Sequence, residues 1–187
     1  MRTIRRIFSR LYLYILWFFF AFLIAGLIFS RLGDTGAAHK VTLFADVPAI
    51  RDAELAAALE EELPDGIRMV KVHPFSYAMF DSDNLLSADL YIISASHVEE
   101  YSGSFREIPD GSFEAEGGCF RDGSLWGVKV WDAARGEGIA ADYIDYPDED
   151  CWLFFNAQSP HIRSWSGEGD DAALAVARRL LGMKGEN

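Results

Sequence analysis

The chain has 187 residues, half of them hydrophobic and 14% aromatic, and a net charge of −12. That length suits one domain and little more, and the composition excludes a disordered or low-complexity chain. The acidic balance argues against nucleic-acid binding, which needs cationic surface to displace phosphate counterions. Two cysteines and four scattered histidines exclude a disulfide mini-protein and argue against a multi-ligand zinc module.

The charge is unevenly divided. Residues 1–40 hold six of the 17 basic residues (Arg2, Arg5, Arg6, Arg10, Arg31 and Lys40) and one of the 29 acidic ones, Asp34, so residues 41–187 stand at −17. After the basic tail, residues 1–10, the stretch Leu11–Ser30 reads LYLYILWFFFAFLIAGLIFS, without a charge or a proline. As a helix, twenty such residues cover about 30 Å, the thickness of a bilayer's hydrocarbon core. Tyr12, Tyr14 and Trp17 sit near its basic end, where amphipathic rings favour the headgroup boundary. A transmembrane signal-anchor over residues 11–30 is therefore expected, with residues 31–40, RLGDTGAAHK, as a linker. Four arginines precede the segment and only Arg31 and Lys40 follow it, which predicts a cytoplasmic N-terminus and an external body. A cleaved signal peptide is the competing reading, with Gly36-Ala37-Ala38 as the cleavage site. Against it, the apolar run is longer than the usual span of about 7–15 residues, and Arg31 and Asp34 intervene.

Residues 41–187 read as one α/β domain. Val41–Ala45 is apolar enough for a strand buried on both faces. Asp52 is placed to cap a helix whose Leu55, Leu59 and Leu63 form one stripe, and Pro64-Asp65-Gly66 stops it. Ile67–Val72 is the next strand, completing a βαβ unit with parallel strands. Phe75–Leu86 has room for one or two helical turns. Asp89–Ser94 is a third strand, followed by a short helix from Ser96 to Tyr101. Phe105–Gly118 reads as a long loop, and Asp122-Gly123 as a hairpin turn. Leu125–Trp131 is a strand with Trp126, Val128 and Val130 on one face; Ala141–Tyr146 and Cys151–Phe155 are further strands. Asp170 or Asp171 caps a last helix, Ala172–Leu181, ended by Gly182. The expected fold is a single three-layer-type α/β domain with a mainly parallel sheet.

The order of strand, Pro-containing loop, acidic helix, PDG turn and strand, then SADLYIIS, and finally CWLFFNAQSPHI with an amphipathic helix, resembles one lobe of the bacterial extracellular solute-binding proteins. These are the capture subunits of ABC importers. The resemblance covers about residues 41–187 and implies a ligand-side loop after the third strand. Such proteins have two lobes in roughly twice this length, and this chain has room for one. Residues 102–124 stand where a second lobe would emerge, and no lipid-acceptor cysteine follows the apolar run. Capture of a small solute by two-lobed closure is therefore not expected.

No catalytic constellation emerges. There is no G-x-S-x-G elbow, and neither Cys119 nor Cys151 has a reactive context. Both glycine motifs, Gly136–Ala141 and Gly167–Ala172, carry carboxylates that would repel a pyrophosphate. His97 and Glu100 share a face but offer two metal ligands at most, and Asp142–Asp150 lacks the EF-hand spacing. No metal and no cofactor is expected. The surface candidates for binding are Ser94, Ser96 and His97 after the third strand, with Trp131 and Trp165 as flat aromatic faces. The sequence thus points to a single-pass bacterial membrane protein, N-terminus inside, that presents a non-catalytic binding or accessory domain to an envelope or transporter partner. The alternative is a small envelope hydrolase using carboxylates or His97 at the C-terminal ends of parallel strands. Whether Cys119 and Cys151 form a disulfide stays open at this point.

Overall fold

A computed structural model describes residues 2–32, 36–74, 88–114, 116–165 and 171–183. Met1–Gly36 and Ala37–Asn187 form separate compact units. The first is one helix, α1 (Arg2–Leu32). Its window Leu11–Ile28 has a mean hydropathy of 2.4 and none of it is buried. It is long and apolar enough to cross a membrane, and the same length and composition suit a signal sequence. Helix and domain both intrude on the expected linker: α1 runs to Leu32, Ala37–His39 is a turn of 3-10 helix, and the first strand starts at Lys40.

The second unit is built on a seven-stranded sheet. Its strands are β1 (Lys40–Ala45), β3 (Met69–Pro74), β4 (Leu90–Ser94), β5 (Cys119–Arg121), β6 (Ser124–Asp132), β7 (Glu137–Gly138) and β9 (Cys151–Phe155). A separate two-stranded ribbon pairs β2 (Ala49–Ile50) with β8 (Ile144–Asp145), which is all that forms of the strand expected over 141–146. The main order is β3-β1-β4-β9-β6-β5, with β7 paired to β6. Only the β1–β3 and β1–β4 pairs are parallel; β9 runs against β4, and β6 against β9, β5 and β7. The sheet is therefore mixed rather than mainly parallel. Parallel neighbours need a crossover of about a dozen residues or more, usually helical, which α2 (Asp52–Glu60) supplies between β1 and β3. The second half of the chain holds tight turns instead. Asp122 and Gly123 both have positive φ, the backbone of a two-residue hairpin turn.

One sheet face carries the main core. Val41, Leu43, Val72, Leu90, Ile92, Leu153 and Phe155 pack there against Leu55 and Leu59 of α2 and against α4 (Ala172–Gly182). Arg179 of α4 ties the two helices together through the Ala58 carbonyl and Glu61. Leu63 lies beyond the end of α2 and only packs against the core's margin. The opposite face buries Phe44, Tyr91, Ile93 and Phe154 beneath Tyr101 and Phe105. Among the described residues its cover is the short α3 (Val98–Tyr101) and the segment after it. The expected loop 105–118 is pinned at two points, Phe105 bridging to Asn156 and Ile108 to Leu125. Trp126 does not share a face with Val128 and Val130. The β5–β6 register slips by one residue at Cys119/Phe120, and this bulge sends Trp126 to the second cluster.

Two expected caps take another form. Arg51 is the N-cap of α2, and Asp52 bonds the next amide, Ala53 N–H. Asp171 is the N-cap of α4, but its carboxylate reaches back to the Arg163 and Ser164 amides instead of into the helix. The turns expected over Phe75–Leu86, the cap at Asp170 and most of the motif Gly167–Ala172 lie outside the described residues.

The sheet register also separates the cysteines. Cys119 faces Gly127, which faces Phe154, three residues along β9 from Cys151. At roughly 4.8 Å between strands and 3.3 Å per residue this places them about 14 Å apart. That is twice the Cα separation a disulfide tolerates, and both thiols are free.

Candidate functional site

The C-terminal ends of the parallel strands β1 and β4 meet in one polar cluster. Asp46 follows β1 directly and its amide donates to the Ile92 carbonyl, which fixes the carboxylate beside the end of β4. One oxygen, Asp46 Oδ2, accepts from Ser94 Oγ at 2.6 Å, from His97 Nδ1 at 2.7 Å and from the Ser94 amide at 3.3 Å. Because an ionised carboxylate only accepts, the Nδ1 of His97 carries the proton and Nε2 is left for solvent or a ligand. The side chain of Asp46 is 13% exposed and that of His97 43%. Ser94 is buried, at 3% exposure.

A second carboxylate closes the site from the loop that precedes β9. Glu149 accepts from both the amide and the hydroxyl of Ser96, each at 2.8 Å. The same loop is clamped further along. Ala95 N–H donates to the Asp150 carbonyl, and Asp150 bonds the Ala133 amide and pairs with Lys129 Nζ at 2.8 Å. Two carboxylates of the acidic run 142–150 are thus committed to the protein itself rather than open to a cation. Among the described residues no group of three or more His, Cys, Asp and Glu side chains is arranged to hold a metal.

The electrostatics follow from these bonds. The hydrogen bond to Asp46 holds the His97 pKa above its ordinary value against some desolvation, helped by the charges of Asp46, Glu100 and Glu149. Burial pushes the Cys151 thiol up to about 12, assisted by Asp46, Glu149 and Asp150, so it is inert as a nucleophile. At the end of β3, His73 lies against Phe44 with ring centroids 5.1 Å apart, and burial lowers its pKa.

Of the sequence candidates, Ser94, Ser96 and His97 fall within this cluster. Trp131 stands at the same end of the sheet, because Cys151 pairs with both Ser94 and Trp131. Its ring is stacked on Tyr146 at 4.8 Å and its Nε1–H donates to the Pro147 carbonyl, so it braces the acidic loop. Trp165 contacts Phe155, whose strand partner Leu90 begins β4, and therefore lies toward the other end. Its ring is already covered by the Arg106 guanidinium, 5.1 Å from its centroid. Sequence reasoning missed Asp46 and Glu149 as members of the site. The signal for Asp46 was its position immediately after an apolar parallel strand, the edge where open α/β sheets place ligands.

Chemically, Asp46 and His97 form an oriented carboxylate–imidazole pair, two parts of a hydrolytic triad. The third part does not line up with them. The hydroxyl beside the pair, Ser94 Oγ, lies 3.2 Å from Nδ1, not Nε2, and its proton goes to Asp46. The Ser96 hydroxyl is held by Glu149.

No protein-family model and no curated protein matches this sequence. Three solved chains match it. One is thiaminase I from Bacillus thiaminolyticus, 17% identical, with a TM-score of 0.33 over 49% of this chain and 28% of that one. The resemblance is distant and partial, and neither a family nor an activity passes from it to this chain.

Proposed function

We propose that the chain is a single-pass membrane protein whose α1 is an uncleaved signal-anchor, with the Ala37–Asn187 unit presented outside the cell as a non-catalytic binding domain. The recognition surface is the Asp46–Ser94–Ser96–His97–Glu149 cluster, and the occupant is a protein of the cell envelope or of a transporter. The observation that carries this reading is the disposition of Ser94. It is buried, and it donates to Asp46 from the Nδ1 side of the imidazole, so His97 Nε2 has no serine proton to take. With Ser96 held by Glu149, the open hydrogen-bonding group at the rim is the imidazole edge, suited to contact rather than to covalent chemistry. The excess of arginines in residues 1–10, ahead of the apolar stretch of α1, supports the orientation.

The test combines topology with turnover. In a Cys119→Ser background, the Ser96→Cys variant is treated on intact cells with a membrane-impermeant maleimide. Labelling without permeabilisation is expected; labelling only after lysis refutes the external placement. The full chain in detergent is then assayed against ester, amide and glycoside substrates. Turnover that His97→Ala abolishes would refute the binding reading in favour of a hydrolase.

A further inference from the structure

One edge of the main sheet is open at a single exposed aromatic residue. β5 is the last strand of the sheet order, so one of its edges has no neighbouring strand among the described residues. Asp122 and Gly123 form a two-residue turn, and in such a hairpin the flanking pair, Arg121 and Ser124, exchanges both main-chain bonds. The next pair, Phe120 and Leu125, therefore exchanges none. Leu125 agrees with this, because its carbonyl accepts the Ile108 amide on the side of β6 away from β5. The N–H and C=O of Phe120 accordingly point out of the sheet edge. Phe120 is also 55% exposed, the one large apolar residue so exposed among the described residues of the Ala37–Asn187 unit.

Beside this edge runs a groove lined by Phe120, Cys119 and Trp126, by Val98 of α3, and by two opposite charges, Glu99 and Arg121. Its volume is about 70 Å³, far below the roughly 300–1,000 Å³ of a small-molecule site, so it has room for a side chain only. The Arg121 guanidinium lies over the Trp126 ring, 5.3 Å from its centroid, rather than in an ion pair with Glu99. One short stretch of surface thus offers a main-chain donor, a main-chain acceptor, an aromatic ring, a cation and an anion.

We propose that β5 pairs with β5 of a second copy of this chain, antiparallel about a two-fold axis at Phe120. In this register the two Phe120 residues exchange both of their outward main-chain bonds, with Cα atoms about 5.5 Å apart and the rings side by side. Arg121 of the second copy then stands opposite Cys119, which lines the same groove as Glu99, and the two-fold axis repeats the match. A two-fold interface requires a patch that is its own complement, and this edge meets that condition in hydrogen bonding, in apolar surface and in charge. Three residues of edge make a small contact, of the reversible class below about 1,200 Å². The inference stands apart from the reading of the Asp46 cluster.

The test uses the full chain in detergent micelles and traps the pair. In a Cys119→Ser background, Phe120→Cys is oxidised with copper phenanthroline in air. A Cα spacing of about 5.5 Å is within disulfide reach, so a linked dimer should form. Glu116→Cys in the same background is the control. It is exposed and precedes Gly117, whose carbonyl accepts Trp152 Nε1–H over the sheet, so its dimer yield should be severalfold lower. Arg121→Glu or Glu99→Arg, each combined with Phe120→Cys, should cut the yield severalfold, and the two reversals together should restore it. In the wild type, exchange of the Phe120 amide should slow severalfold as protein concentration rises, while the Arg121 amide, already bonded to Ser124, is unchanged. Equal yields at positions 116 and 120, a double reversal that restores nothing, or a Phe120 amide indifferent to concentration overturns the proposal.

Discussion

Asp46→Ala removes the acceptor of three hydrogen bonds in a single step. Two of the donors, the amide and hydroxyl of Ser94, belong to a residue with 3% exposure, so water cannot replace the carboxylate without opening the end of β4. Leaving a buried donor unsatisfied costs about 1–3 kcal/mol. The Ser94 amide bond is long, and the hydroxyl can turn toward His97 Nδ1 at 3.2 Å once that nitrogen is free to accept, so the net loss should be about 2 kcal/mol. For a domain of this size that is a fall in melting temperature of about 4–8 °C. Asp46→Asn keeps an oxygen in place and loses only the charge, so it should cost less. Both variants should return the His97 pKa toward its ordinary value. The wild-type contribution from His97 is full below about pH 6.5 and lost as pH rises through the raised folded value, because protonated His97 is the form that the Asp46 bond favours. The difference in melting temperature between wild type and Asp46→Asn should thus shrink from pH 5.5 to pH 8.5. Thermal unfolding of the full chain at those two pH values, with NMR titration of the His97 ring, measures both effects. An Asp46→Ala protein that melts within about 1 °C of wild type, with an unmoved His97 titration, would refute the reasoning.

Gly127→Ala would bring a Cβ to 2.7 Å from Cε1 of the buried Phe154 ring, an overpacking cost of about 1–3 kcal/mol that Phe154→Leu should partly relieve; denaturant midpoints of the two singles and the double reveal the coupling. Asp89→Ala leaves His161, Ser159 and the Thr42 amide without their acceptor, and breaking this buried pair should lower stability by about 3–5 kcal/mol in the same measurement. Thiol titration of unreduced, denatured protein should count two free thiols per chain, since the sheet register holds Cys119 and Cys151 apart; a count of zero in monomeric protein would falsify the register.

Local patterns carried much of this fold, and long-range geometry accounts for the remainder. The apolar run of α1, the leucine stripe Leu55/Leu59, the Asp122-Gly123 turn and the α4 stripe depend on residues a few positions apart, and periodicity and turn chemistry expose them. Strand direction beyond β4 was not legible in this way. Cys151–Phe155 is as apolar as Val41–Ala45, and only its antiparallel pairing with β4 distinguishes the two. The Trp126 bulge is likewise a property of the pair β5–β6 and not of either strand alone. At the site, Ser94, Ser96 and His97 were readable because they directly follow a buried strand. Asp46 and Glu149 lie 48 and 53 residues from their serine partners, so the sheet's topology alone brings them in. The Asp89–His161 pair spans 72 residues and left no mark on periodicity at all.

The proposed function makes the cluster at the ends of β1 and β4 an external contact surface. A photo-crosslinking side chain at the exposed Glu100, three residues from His97, tests it most directly in intact cells, with Asp110 beside Ile108 at the other end of the sheet as the control. The account predicts a discrete adduct with one envelope protein from position 100, absent from position 110 and lost in Asp46→Ala chains that remain folded. Adducts of equal yield from both positions, or an adduct at position 100 that survives loss of Asp46 unchanged, would contradict it.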